Sequence, residues 1–146
     1  MTRSIPTRSR ADVSLDLAQR ILAGVQAEAE RRGAAMGAAV VDVGGNLVAA
    51  LRMDGAQLVA LPLASDKAYT AVALGAPTET WSGSTAPGGD DWGMASALGG
   101  RLVVFAGGLP IQVDGTVIGG VGVSGAAATV DRACACAGLV AAGLED

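Results

Sequence analysis

The sequence predicts an α+β domain in which helices cover a central antiparallel sheet. Apolar residues recur at helical spacing near both ends of the chain, and between them lie apolar runs broken by short glycine-containing turns. A short turn joins antiparallel strands, because a parallel pair needs a long crossover connection. The pattern therefore favours an α+β arrangement over repeated βαβ units.

The first half of the chain predicts a helix, a hairpin and a second helix. The first helix is expected over about residues 14–32, with Ser14 as its N-cap. Residues 44–46, Gly-Gly-Asn, separate two apolar runs and predict the turn of the hairpin. Pro62 suits the start of the second helix, which is expected to end near Gly75.

The second half predicts an irregular segment, another hairpin and a closing helix. Residues 76–100 are rich in Gly, Ser, Thr and Pro, and long irregular segments of this kind are often functional. Asp114 and Gly115 form a strong hairpin-turn signal. The closing helix is expected to begin at Thr129 as N-cap, with Asp131 near its positive end.

Residues 1–13 are expected to form a flexible, arginine-containing N-terminal segment, and residues 14–146 a single domain. No apolar signal-peptide core follows the arginines, and no apolar run reaches the roughly 18 residues of a membrane span. We therefore expect a cytoplasmic protein with no membrane partner. The net charge of −4 argues against nucleic acid as a partner.

The absence of histidine restricts the chemistry more than any other feature of the composition. It excludes Ser-His-Asp and Cys-His catalysis, HExxH zinc sites and histidine-ligated haem. Proton transfer would have to use a carboxylate, Lys67, Tyr69 or a thiol. Cys134 and Cys136 diverge on a helix, so we interpret them as small packed residues and predict no metal site.

Three charged residues near the middle of the chain are candidates for catalysis. Arg52 and Asp54 end the second predicted strand, and Lys67 lies on the helix that follows. Arg52 and Lys67 are suited to hold an anionic group, and Lys67 to act as acid or base if burial lowers its pKa. The alternative is an ordinary ion pair that holds strand to helix.

The stretch GGLPIQVDGTVIGGVGVSG, residues 107–125, places glycines inside predicted strands. A phosphate-binding loop would instead need a helix opening directly on the glycines. Glycines leave the backbone of a strand uncovered by side chains, which indicates close packing of another element or of a ligand. We expect a ligand on this surface to contact Lys67 or Arg52 as well. The candidate ligand-binding residues are Gly107, Gly108, Pro110, Gly122, Ser124, Thr70 and Trp92.

The irregular segment also contains Trp81 and Trp92. Their side chains are suited to form the wall of an apolar pocket, or equally to anchor a loop or an oligomer interface.

Four blocks, in order, resemble the GlcG/HbpS (DUF336) family, which includes the C-terminal domain of PduO. They are AVVDVGGNLVAALRMDGA, DKAYTAVALGAPT, the glycine-rich stretch and VDRACACAGL, and the resemblance covers roughly residues 14–144. The resemblance implies a profilin-like fold, homo-oligomers from dimer to octamer, and haem or a related tetrapyrrole as a possible ligand. The recurring family positions here are Arg52, Asp54, Gly55, Lys67, Gly107, Gly108, Pro110, Gly122, Ser124 and Gly125.

The chain departs from the family pattern in its first hairpin turn, where Asn46 replaces the common histidine. Haem iron would then have to use Thr, Tyr69, Cys, Met or no strong protein ligand.

Three functions remain open. The first is binding of haem or another flat apolar ligand in a pocket near Lys67 and the glycine-rich hairpin. The second is a cofactor-independent isomerase, lyase or cyclase acting on an organic acid or aromatic metabolite. There Lys67 would be the acid or base, Arg52 the anion anchor and Asp54 the orienting group. The third is a structural or regulatory oligomer without a ligand.

Overall fold

The computed structural model describes residues 2–145. Its helices are α1 (Leu15–Arg31), α2 (Ala60–Leu74) and α3 (Ala128–Ala141). Its strands are β1 (Gly37–Asp42), β2 (Leu47–Arg52), β3 (Gly108–Val113) and β4 (Thr116–Ser124). Two short 3-10 helices, Thr78–Trp81 and Met94–Gly100, lie in the irregular segment between α2 and β3.

The four strands form one antiparallel sheet in the order β2-β1-β4-β3. Each hairpin supplies one edge strand and one central strand, and the two central strands pair with Val40 opposite Val121. Helix α2 covers one face of the sheet, while α1 and α3 pack on the other around Ile21, Val121 and Leu139. The predicted α+β architecture with a central antiparallel sheet is confirmed.

Helix α2 approaches the sheet unusually closely because both surfaces carry small residues. Ala64 and Ala68 of α2 are fully buried against β4. A Cβ atom added to Gly122 would overlap the carbonyl oxygen of Ala64, and one added to Gly120 would overlap that of Ala68. At these two positions the missing side chains make room for the helix backbone.

Several local predictions agree with the structure. Ser14 is the N-cap of α1, and its Oγ accepts a hydrogen bond of 3.1 Å from the backbone N–H of Leu17. Helix α2 ends at Gly75, which is left-handed with φ of 67°. Asp114 and Gly115 both have positive φ, at 51° and 76°, as a type I′ hairpin turn requires.

Two predicted helix starts are wrong by one to two residues. Helix α2 begins at Ala60, so Pro62 lies inside its first turn, where a missing backbone N–H leaves no hydrogen bond unmade. Thr129 is not the N-cap of α3, which begins at Ala128 after Ala127. Asp131 supplies the polar contact instead, because its Oδ1 accepts from the backbone N–H of Ala126 at 2.9 Å.

The chain joins the sheet before α1 begins. The backbone N–H of Val13 donates to the carbonyl of Ile118 at 2.9 Å, and the Val13 side chain is buried. Asp12 Oδ1 accepts from the backbone N–H of Val13 and of Val43, at 2.9 and 3.0 Å. Across residues 2–145, no helix combines the length and the apolar character that crossing a bilayer requires.

Replacing Gly122 by Ala should lower the free energy of unfolding by about 2–3 kcal/mol, because α2 must move away from β4. Gly83→Ala is the matched control, since a Cβ there meets open space and its φ is ordinary. Urea denaturation of both variants measures the difference. Equal stability of the two variants would contradict the close approach of α2.

Candidate functional site

Lys67 is the single lysine of the chain, and its side chain is completely buried. Its Nζ donates to Asp131 Oδ2 at 2.9 Å and to the carbonyl oxygen of Val123 at 3.0 Å. The same Nζ lies 5.1 Å from the centroid of the Phe105 ring, a cation–π distance. We call Lys67, Asp131, Val123, Gly107 and Phe105 the Lys67 cluster.

Local sequence explains how each group reaches the cluster. Lys67 lies on the buried face of α2 beside Ala64 and Ala68, whose short side chains leave space for its stem. Asp131 lies in the first turn of α3 and bonds the Ala126 N–H with its other oxygen, so both carboxylate oxygens have partners. Gly107 has φ of 128°, and a Cβ there would lie 2.6 Å from Lys67 Nζ.

Two effects act in opposite directions on the pKa of Lys67. Burial lowers the pKa of Lys67, while the hydrogen bond and charge of Asp131 act to raise it, and burial dominates. A buried amine with a lowered pKa and an adjacent carboxylate can pass a proton to that carboxylate without reaching solvent. The Lys67 cluster therefore contains both groups that a proton transfer requires, an amine and a carboxylate.

The structure does not bring Arg52 and Asp54 into the Lys67 cluster. Both line a shallow pocket of about 310 Å³, together with Gln26 and Glu30 of α1. The carboxylate that pairs with Lys67 is Asp131, 64 positions further along the chain. The sequence did contain one signal for it, because a lone lysine among alanines on an apolar helix face requires a buried counter-charge.

Thr70, Gly108 and Ser124 lie in the packed interior. Thr70 Oγ1 donates to the carbonyl of Asp66 at 2.7 Å and accepts from the Val103 N–H at 3.0 Å, which fastens the irregular segment to α2. The N–H of Gly108 donates to Thr78 Oγ1 at 3.1 Å. Ser124 is buried at the end of β4, opposite Gly37.

The two tryptophans differ in environment. Trp92 is 68% exposed in the irregular segment, whereas Trp81 is half-buried at the end of the first 3-10 helix.

A larger groove of about 650 Å³ runs along edge strand β3 and the C-terminal end of α3. We call it the edge groove. Pro110 is the predicted ligand-binding residue that lines it, and Arg132 contributes a guanidinium group that also pairs with Glu79. The lining residues are Pro77, Leu109, Pro110, Gln112, Val113, Asp114, Gly115, Arg132, Leu139, Gly143, Leu144 and Glu145.

Apart from Pro110, the residues of the edge groove could not be identified from the sequence, because β3 and α3 meet only in the folded chain. For metal ions, the described part of the chain holds no group of three or more Cys, Asp or Glu side chains arranged as ligands.

Replacing Lys67 by Met should lower the free energy of unfolding by about 3–5 kcal/mol, because it leaves the Asp131 charge buried without its partner. The double variant Lys67→Met/Asp131→Asn should cost less than the sum of its two single variants, because the unpaired charge is gone. Urea denaturation measures all three.

Arg20→Met provides the control, because the Arg20–Asp16 pair is exposed, and exposed pairs often contribute nothing measurable. If the losses in free energy of unfolding of the two single variants add up to the loss of the double variant, direct coupling between Lys67 and Asp131 is contradicted.

The chain is similar in sequence and in fold to several known proteins. The family model described as "Haem degrading protein HbpS-like" matches residues 13–140. An uncharacterised 15.0 kDa protein from the dhaT-dhaS intergenic region of Citrobacter freundii is 36% identical over 122 residues. The match spans 84% of this chain and 86% of that protein.

Two solved structures superimpose closely. The Klebsiella pneumoniae protein ORFY, of family DUF336, has a TM-score of 0.93 at 29% identity, covering 99% of this chain and 100% of that one. The PduOC:heme complex has a TM-score of 0.86 at 31% identity, covering 90% of this chain and 95% of that one. The fold, the order of the sequence blocks and the family match agree, and the chain belongs to the HbpS-like (DUF336) family.

Proposed function

We propose that this chain binds a tetrapyrrole, or another flat apolar molecule with acid groups, in the edge groove. The observation that carries the proposal is the groove itself, about 650 Å³ in volume, on the outer edge of the glycine-rich hairpin. Family membership and the haem bound to the similar PduOC structure support the ligand class. Lys67 lies inside the protein behind this hairpin, so contact with the ligand is made by the groove residues.

The groove combines an apolar wall with charge. Pro77, Pro110 and Val113 are partly exposed and offer apolar surface against which a flat ring can lie. Arg132 is suited to bind the acid groups, because a guanidinium has five N–H donors and pairing with Glu79 does not use them all.

The residues of the edge groove are suited to hold the ring of a haem, but they provide no ligand for its iron. Proteins hold haem iron with His, Cys, Met or Tyr, and this chain has no histidine. None of the described residues that line the edge groove is Cys, Met or Tyr. Binding in this groove therefore depends on the ring and its acid groups, and no iron chemistry is assigned to it.

Haemin and metal-free protoporphyrin should bind with dissociation constants within about threefold of each other, because no protein side chain contributes an iron bond. Absorbance titrations at micromolar protein measure both constants. Haemin bound more than tenfold more tightly would contradict the ring-only mode, and the absence of binding by either would contradict the proposed function.

Val113→Glu should weaken porphyrin binding at least tenfold, since it places a negative charge on the apolar wall near the ligand's acid groups. Leu47→Glu is the matched control, because Leu47 is a similarly exposed apolar residue on the opposite edge strand, β2. Equal loss of binding in the two variants would place the ligand elsewhere.

The cofactor-independent isomerase, lyase or cyclase with Lys67, Arg52 and Asp54 stays a prediction. The structure pairs Lys67 with Asp131, and Arg52 and Asp54 line a different pocket, so no observation favours it over ligand binding.

A further inference from the structure

We propose that Lys67 is a gated amine site, in which rotation of the Phe105 side chain admits a small aromatic aldehyde that Lys67 binds as an imine. This site is separate from the edge groove and does not depend on tetrapyrrole binding.

Phe105 is the wall of the Lys67 cluster that faces solvent. The Asp131 side chain is 3% exposed, and Gly107 and Val123 are buried, whereas Phe105 is 47% exposed. Rotation of one partly exposed aromatic side chain is therefore the smallest movement that uncovers Nζ.

The backbone on both sides of the gate is fixed. The carbonyl of Phe105 accepts from Thr78 Oγ1 at 2.6 Å, and the carbonyl of Gly107 accepts from the Val123 N–H at 2.9 Å. The side chain can move while the cluster keeps its shape. The space that the ring leaves matches an aldehyde with a single aromatic ring, which would restore the apolar contact that Phe105 gives up.

The presence of lysine rather than arginine at the buried position also points to amine chemistry. Nine of the ten basic residues of the chain are arginine, and the one lysine occupies the buried position. Arginine stays protonated in proteins, whereas a buried lysine can become a neutral nucleophile. Asp131 Oδ2, 2.9 Å from Nζ, is placed to take the proton.

The reaction balances without an added oxidant or reductant. The Lys67 ammonium ion passes one proton to Asp131, and the nitrogen lone pair then forms a bond to the carbonyl carbon. The carbonyl oxygen leaves as water with the two protons that remain on the nitrogen. Asp131 returns its proton to the imine nitrogen, so an iminium–carboxylate pair replaces the ammonium–carboxylate pair.

The test treats the protein with benzaldehyde and cyanoborohydride, which reduces any imine to a stable secondary amine. Peptide mass mapping then shows which amine carries the benzyl group. Because Lys67 is the single lysine, the α-amine is the one other primary amine and serves as the internal reference. Phe105→Ala should trap benzaldehyde on Lys67 at least ten times faster than the unchanged protein. Leu98→Ala, which removes another exposed apolar side chain of the irregular segment, should trap it at the unchanged rate.

Trapping rates measured at urea concentrations below the unfolding transition distinguish opening of the Phe105 side chain from global unfolding. A local side-chain opening makes the trapping rate of the unchanged protein nearly independent of urea. A rate that rises in parallel with global unfolding would overturn the gate. So would an unmodified Lys67 in folded Phe105→Ala whose α-amine is fully modified. Phe105→Leu, which keeps an apolar side chain, should give an intermediate rate and guards against misfolding of the alanine variant.

Discussion

The contact between α2 and β4 is the constraint on which the rest of the structure depends. Alanines on the helix meet glycines on the strand, so backbone packs against backbone over the centre of the sheet. Such contact is stabilised by many short dispersion contacts rather than by large apolar side chains. The face that carries the glycines is therefore filled by the protein itself, and space for a large ligand is found at the sheet edge, along β3.

The same close packing makes the Lys67 cluster possible. Small neighbours let the lysine stem cross the interior to reach Val123 on β4 and Asp131 on α3. One ion pair thus connects α2 with α3, which otherwise pack on opposite faces of the sheet. Desolvation offsets much of the attraction within a buried pair, whereas the loss of one partner leaves the other charge buried and uncompensated.

Features set by near neighbours were predictable from sequence, and features set by distant contacts were not. Ser14, Gly75 and the Asp114-Gly115 turn act within a few residues, so their signals are local and correct. Thr129 had an equally good local signal, but Asp131 contacts the backbone before α3 and the helix begins earlier. The Lys67–Asp131 pair and the edge groove join residues far apart in sequence, where no local pattern identifies the partner.

Pro110 has a consequence for association between chains. It lies in β3, an edge strand, and proline has no backbone N–H to offer a neighbouring strand. A proline on a sheet edge discourages another chain from extending the sheet and so protects against edge-to-edge aggregation. The residue that helps to shape the edge groove thereby also hinders extension of that edge by a fifth strand.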